Sequence, residues 1–225
     1  MKKTGLIVAV EMDSVLAKYG TPAEMIEEKA FRIYVYKSAD YVLYVLNSGA
    51  GEIAAAAGTQ YLISKLGAEL IVNFGVVGGL TTEMGVSKTC IVENVVHYDF
   101  DGGGFTGTAV GRYIELPDIF IPTTASLVEK ALAAEPTLRR VNCASGDKFV
   151  EGAEKKGELR DKFSCQICDM ESAGIALTCL RNGVPCLLIK TVSDGMEGGA
   201  EEFAAQIRRS SEICMEITDK LIRQM

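Results

Sequence analysis

Positive charge is in short supply in this chain. Lys and Arg total 23 against 30 Asp and Glu, a formal net charge of −7 over 225 residues. That excess of acid disfavours nucleic-acid binding, which relies on clustered cations. A small neutral ligand such as a nucleoside needs no basic surface. There is one histidine, His97. A His-rich metal site is therefore excluded, and a Ser-His-Asp triad would rest on that residue alone, so catalysis is expected to run on carboxylates. No stretch reaches the ~18 uninterrupted apolar residues of a membrane span. Lys2 and Lys3 could open a signal peptide, but the apolar run Leu6–Val10 is short and meets Glu11 and Asp13. No Pro- or Ser-rich linker and no repeat divides the chain, so residues 1–225 are read as one domain. Of seven cysteines, only Cys165 and Cys168 have ligand-like spacing, and no second pair or nearby histidine completes a zinc site. Neither a metal nor a cofactor is expected. Free thiols at this density imply a reducing compartment, the cytoplasm.

Strand-like apolar runs fall at Gly5–Val10, Ile33–Lys37, Tyr41–Leu46, Leu70–Phe74, Thr89–Val96, Val141–Ala144, Cys165–Met170 and Pro185–Val192. Helical spacing marks Ile53–Leu66, Leu127–Ala134, Glu171–Asn182 and Glu202–Arg223, and Tyr98–Tyr113 reads as one irregular Gly-rich loop. The alternation predicts an α/β protein with a mainly parallel sheet covered on both faces.

In such sheets ligands bind where the strands run out. Two carboxylates, Glu171 and Asp194, each follow an apolar run. An ionised carboxylate accepts two hydrogen bonds side by side, which suits a vicinal diol at Glu171, with Met170 beneath the sugar. Asp194 emerges beside Ser193 from an almost wholly apolar strand, and from there it could hand a proton to a leaving group. Glu11 or Asp13, at the end of the first strand, could hold a water. Phe149 could stack on an aromatic ring while the backbone of Val150 pairs its edge. Gly turns at Asn47–Glu52 and Asn73–Leu80 could bring backbone, including Val77 and Gly78, close to a ligand. Taken singly, each of these features has a structural explanation: a cap, a turn or a core side chain.

As a set, Asn-Ser-Gly-Ala-Gly, Gly-Val-Val-Gly-Gly-Leu, Ser-Gly-Asp-Lys-Phe-Val, Asp-Met-Glu-Ser-Ala and Val-Ser-Asp resemble the nucleoside phosphorylase/nucleosidase superfamily in order and spacing, from Gly5 to about Phe203. Within it the chain is most similar to the branch acting on 5′-methylthioadenosine and S-adenosylhomocysteine. The resemblance implies a three-layer α/β/α sandwich with a central mixed, mainly parallel sheet, in proteins that are usually dimeric. It implies that Glu171 holds the ribose hydroxyls with Met170 against the sugar, and that Ser193 positions Asp194 to protonate purine N7. Phe149 and Val150 then hold adenine, and Val77 and Gly78 line the nucleophile side. Where the family has a run of acids after its first strand, this chain has Glu11-Met12-Asp13. The register puts Asp13 at the water, with Glu11 as the alternative. Val76 replaces a hydroxyl-bearing residue of the family's loop, and 195–201 lacks the aromatic often found there. The superfamily's phosphorylases hold phosphate with arginines near the N-terminus and beside the Gly-rich loop. Here no Arg precedes Arg32, and Asn73-Phe74 stand in the loop position, which favours water as nucleophile. The resulting expectation is a purine nucleosidase acting without phosphate. A nucleoside phosphorylase is the first alternative, and a nucleoside-binding protein with little catalysis the second.

Overall fold

A computed structural model describes residues 1–225. Ten strands form one mixed sheet. The strand β1 (Lys2–Val8) lies between β4 (Tyr41–Asn47) and β5 (Leu70–Gly79), parallel to both. Beyond β4, the antiparallel strands β3 (Arg32–Lys37) and β2 (Glu24–Glu27) finish one edge. On the other side β5 pairs with both β10 (Cys186–Asp194) and β9 (Ile167–Asp169). The sheet then curls through β8 (Arg139–Ser145) and β6 (Thr89–His97), and β6 returns to β10, with the short β7 (Ile121–Pro122) on its flank.

Helices cover both faces because both faces of the central strands are apolar. Leu187 and Ile189 of β10 join Leu6 and Val8 of β1 in one core, against Met12 and Val15 of α1 (Met12–Tyr19), Val128 of α4 (Ala125–Ala134) and Met215 of α7 (Ala200–Ile222). Leu188 and Ile7 point the other way, toward Leu62 of α2 (Glu52–Leu66) and Ala176 of α6 (Ser172–Asn182). This is the period-two alternation of a strand buried on both sides. A third, smaller cluster packs Phe163 of α5 (Ala153–Phe163) against Leu80, Val96 and Cys168.

Three expectations change. The chain leaves β1 at Val8 rather than Val10, and Met12 opens α1, a helix absent from the sequence reading. The stretch read as a Gly-rich loop after Phe74 is strand as far as Gly79, because β10 and β9 supply hydrogen-bonding partners on its two sides. The helix α5 covers a segment to which the sequence reading assigned no element. Its charged surface residues hide a buried side made by Lys156 and Phe163. Within the loop Tyr98–Tyr113 the only regular element is the single-turn α3 (Gly103–Thr106). Cys165 and Cys168 are both buried free thiols.

Candidate active site

The ends of β1, β5, β8, β9 and β10 open on one cavity of about 190 Å³. Glu171 and Asp194 both line it, with Met170, Ser193, Phe149, Val150, Val77, Gly78 and Glu11. Asp13 does not. It lies exposed in the first turn of α1 and faces an outer cleft, which Val10 and Glu11 also border. His97 sits elsewhere, half-buried between the Tyr113 hydroxyl at 2.7 Å and Asp99 at 3.1 Å. Burial lowers its pKa, against the opposing charges of Asp99 and Asp147. Arg32 pairs with Glu27 on the exposed outer strands.

Asp194 owes its aim to an irregularity in β10. Val192 pairs with Val77 and Asp194 with Gly78, so Ser193 is an extra residue in the ladder. Such a bulge bends a strand and redirects the side chain that follows. The Ser193 hydroxyl lies 2.9 Å from Asp194 Oδ1 and 3.3 Å from the Val77 carbonyl. Gly78 makes room for the carboxylate, since a Cβ there would stand 3.3 Å from Asp194 Oδ2 and 3.0 Å from Cys168 Sγ. On the far side of Asp194, Lys156 Nζ donates to Oδ2 at 2.6 Å.

Glu11 is held by backbone. Its Oε1 accepts the Val76 N–H at 2.8 Å and its Oε2 the Val10 N–H at 3.0 Å. Gly75 allows this approach, because a Cβ there would come within 2.9 Å of Oε1. The Val76 side chain supplies no hydroxyl, but its backbone N–H fixes the acid.

Glu171 stands at the N-cap position of α6 without a side-chain cap bond to the helix, and its carboxylate instead accepts the Gly51 N–H at 2.9 Å, which joins the Asn47–Glu52 turn to the site. Burial pushes its carboxyl up, and the charge of Asp169 adds to the effect. Lys190 and the Gly51 N–H oppose it, leaving the group at about 7. Behind it lies a polar network that the sequence reading missed. Lys190 Nζ and Asp169 Oδ2 form a buried ion pair at 2.7 Å. Burial would raise Asp169, but the Lys190 charge and hydrogen bonds from Lys190, Ser145 and Ser172 outweigh it and hold the group below the usual carboxylate range. Ser145 Oγ is 2.5 Å from Asp169 Oδ1, also reaches Glu52 Oε1, and accepts the Ala173 N–H at 3.1 Å. Glu52 is pushed up to about 8, by burial first and then by the charge of Asp169.

The rim is aromatic. Phe149 is 46% exposed and meets Phe203 edge-on, with ring centroids 5.6 Å apart. Phe203, on α7, lies just past the 195–201 loop and supplies an aromatic wall that the loop itself lacks. A motif search could not separate it from the other apolar residues of an amphipathic helix.

A doubly covered mixed sheet, with four carboxylates and two aromatic rings around a pocket at its strand ends, defines an α/β enzyme for a small, hydroxylated and partly flat substrate. The chain belongs to the phosphorylase superfamily, whose family model matches residues 4–223. Among its curated relatives, the 5′-methylthioadenosine/S-adenosylhomocysteine nucleosidase of Haemophilus ducreyi is 31% identical over 85% of this chain and 84% of that protein. The enzyme of the same name from Staphylococcus aureus is 27% identical over 98% and 99%. Among solved structures, the futalosine hydrolase of Helicobacter pylori superposes with a TM-score of 0.93 at 24% identity, covering 100% and 98% of the two chains. The Neisseria meningitidis 5′-methylthioadenosine/S-adenosylhomocysteine nucleosidase, in complex with methylthio-immucillin-A, gives 0.91 at 25% identity, with both chains fully covered.

Proposed function

We propose that the protein hydrolyses the N-glycosidic bond of a 5′-substituted adenine nucleoside, such as 5′-methylthioadenosine or S-adenosylhomocysteine, and releases the free base. The observation that carries this reading is the convergence of Glu171, Asp194 and Glu11 on one cavity with an aromatic rim. Glu171 grips the ribose diol and Met170 underlies the sugar. Phe149 stacks on the base, with the Val150 backbone at its edge. Val77 and Gly78 line the sugar on the side of the attacking water. Ser193 orients Asp194, which protonates N7 as the C1′–N9 bond stretches. Glu11 holds the water that attacks C1′. It takes the place first given to Asp13, which faces another cleft.

Water suits this cavity better than phosphate. Four carboxylates, Glu11, Asp169, Glu171 and Asp194, line it against one cation, Lys148. A phosphate carrying between one and two negative charges needs charged donors. Free-base release from a panel of nucleosides, assayed with and without phosphate, tests the proposal. Adenine release that is independent of phosphate is expected. Strict dependence on phosphate, with ribose-1-phosphate as product, would refute hydrolysis. We further propose a homodimer, as the resemblance implies, and a reducing cytoplasm, which suits seven free thiols.

A further inference from the structure

Lys156 is one of two lysines buried to 1% exposure or less, and the only one whose side chain meets the proposed acid. Its helix places it at 0% exposure, behind the cavity wall. An ammonium has three N–H donors and no acceptor. Here Nζ faces three acceptors, all from one short segment: Asp194 Oδ2 at 2.6 Å, the Gly195 carbonyl at 2.7 Å and the Asp194 carbonyl at 3.4 Å. Cys168 from β9 packs against the same place, where a Cβ on Gly78 would lie 3.0 Å from Sγ and 3.5 Å from Lys156 Cε. Burying such an ion pair is costly, and well-packed apolar residues often serve stability as well. Its presence at the proposed acid points to a task other than stability.

The chemistry proposed above requires a proton at Asp194, and Asp194 is 2% exposed. Bulk water reaches it poorly, and the N–H donor that meets its Oδ2 is the Lys156 ammonium at 2.6 Å. We propose that Lys156 is a positioning residue that acts through Asp194, supplying the proton that Asp194 delivers to the departing purine. The inference rests on the nucleosidase reading of the site.

The steps balance without any further reactant. Heterolysis of C1′–N9 leaves the bonding pair on the purine. The Lys156 ammonium gives a proton to Asp194 Oδ2 and becomes a neutral amine. Asp194 passes that proton to N7, so the base departs neutral and Asp194 is again a carboxylate. Water gives its oxygen to C1′ and a proton to Glu11. After product release, one proton moves through solvent from Glu11 to the amine, and the resting charges return. Oδ2 is suited to both transfers, because it touches Nζ on one side and lies against Gly78 of the cavity lining on the other.

The test compares two substrates. One is 5′-methylthioadenosine, whose leaving base must be protonated. The other is the matching riboside of 4-nitrophenol, whose leaving group departs as a stable anion. In Lys156→Met, kcat on the nucleoside should fall about 100-fold or more, within the range of general acid catalysis, and KM should change far less. The loss on the nitrophenyl riboside should be at least about 10-fold smaller. Lys156→Gln keeps an N–H donor for Oδ2 but has no acidic proton, so it should be as selectively impaired. Adding Lys156→Met to Asp194→Asn should cost almost nothing more, as for groups acting as one unit. Thermal unfolding identifies folded variants, and Lys156→Gln serves if Lys156→Met does not fold. Equal losses on both substrates, rescue by Gln, additivity with Asp194→Asn, or wild-type turnover in either variant would each overturn the proposal. If the wild type releases no base at all, the reading of the site fails and this inference with it. If the wild type is active and the variants are unselective, the inference alone fails.

Discussion

Glu11 and Asp13 stand two residues apart, and only Glu11 reaches the pocket that Glu171 and Asp194 line. Glu11 is 5% exposed and ends in the pocket with Glu171 and Asp194, whereas Asp13 lies exposed on the outer side of α1. The division follows from backbone conformation. In an extended chain the two side chains would share a face, but the turn into α1 at Met12 separates them.

A pair of conservative variants reads this division directly. Glu11→Gln should lower kcat by ~10²–10⁴, the usual worth of a positioned base. Asp13→Asn should stay within about threefold of wild type, as a surface change away from the chemistry. Steady-state rates of base release decide the matter. A severe defect in Asp13→Asn with normal turnover in Glu11→Gln would return the water to Asp13.

Glu171 should set an acid limb in the pH profile. Only its ionised form accepts both hydroxyls of a diol. With the carboxyl at about 7 in the empty site, kcat/KM should rise as pH passes upward through that value. Glu171→Gln should lose most of this rise and bind ribose-containing inhibitors more weakly. An unchanged limb in the variant would place the titration on another group.

Asp169 and Lys190 form the second buried ion pair, 2.7 Å apart beneath Glu171. Lys190→Met removes the cation and leaves a carboxylate in the interior. Breaking such a pair costs about 3–5 kcal/mol. Chemical denaturation should show a loss of that order. Lys190→Met with Asp169→Asn should recover part of it, because the stranded charge is gone. A double variant no better than the single one would mean that lost packing, not the charge, carries the cost.

The legible part of this chain was its strand ends. Glu171 and Asp194 stood out because each follows an apolar run, and a mainly parallel, doubly covered sheet followed from the spacing of such runs. Lys156 and Glu52 were not legible for the converse reason: each is a charged residue in a local setting that would place it on the surface. Lys190 sits inside the apolar run before Asp194, but its partner Asp169 lies on another strand, 21 residues away. Gly75 and Gly78 read as loop glycines, although they are strand residues pressed by Glu11 and Asp194. A single sequence carries no mark of that pressure. Ser193 was picked out beside Asp194, but the bulge that makes it the extra residue depends on the register between β5 and β10.

Glu52 makes the stability of the fold depend on pH, with a definite sign. Ser145 has one hydroxyl proton and meets two carboxylates, Glu52 and Asp169. Both cannot be ionised and satisfied by that single proton. Lys190 keeps Asp169 charged, so Glu52 carries the additional proton, in agreement with its value near 8. The folded state therefore holds this proton more tightly than the unfolded state, where the ordinary value is 4.5. Between those values folding takes up protons, and stability falls as pH rises. Glu171, at about 7, acts in the same direction over a narrower span. The Asp169 shift has the opposite sign, but its stabilisation is already complete above the normal carboxylate range. Wild-type Tm should therefore drop between about pH 5 and pH 8, and Glu52→Gln, neutral at every pH, should drop less. Glu52→Gln should also be the more stable protein at the alkaline end, since it buries no charge there. Parallel Tm profiles for the two proteins would mean that Glu52 does not hold the proton in the folded state.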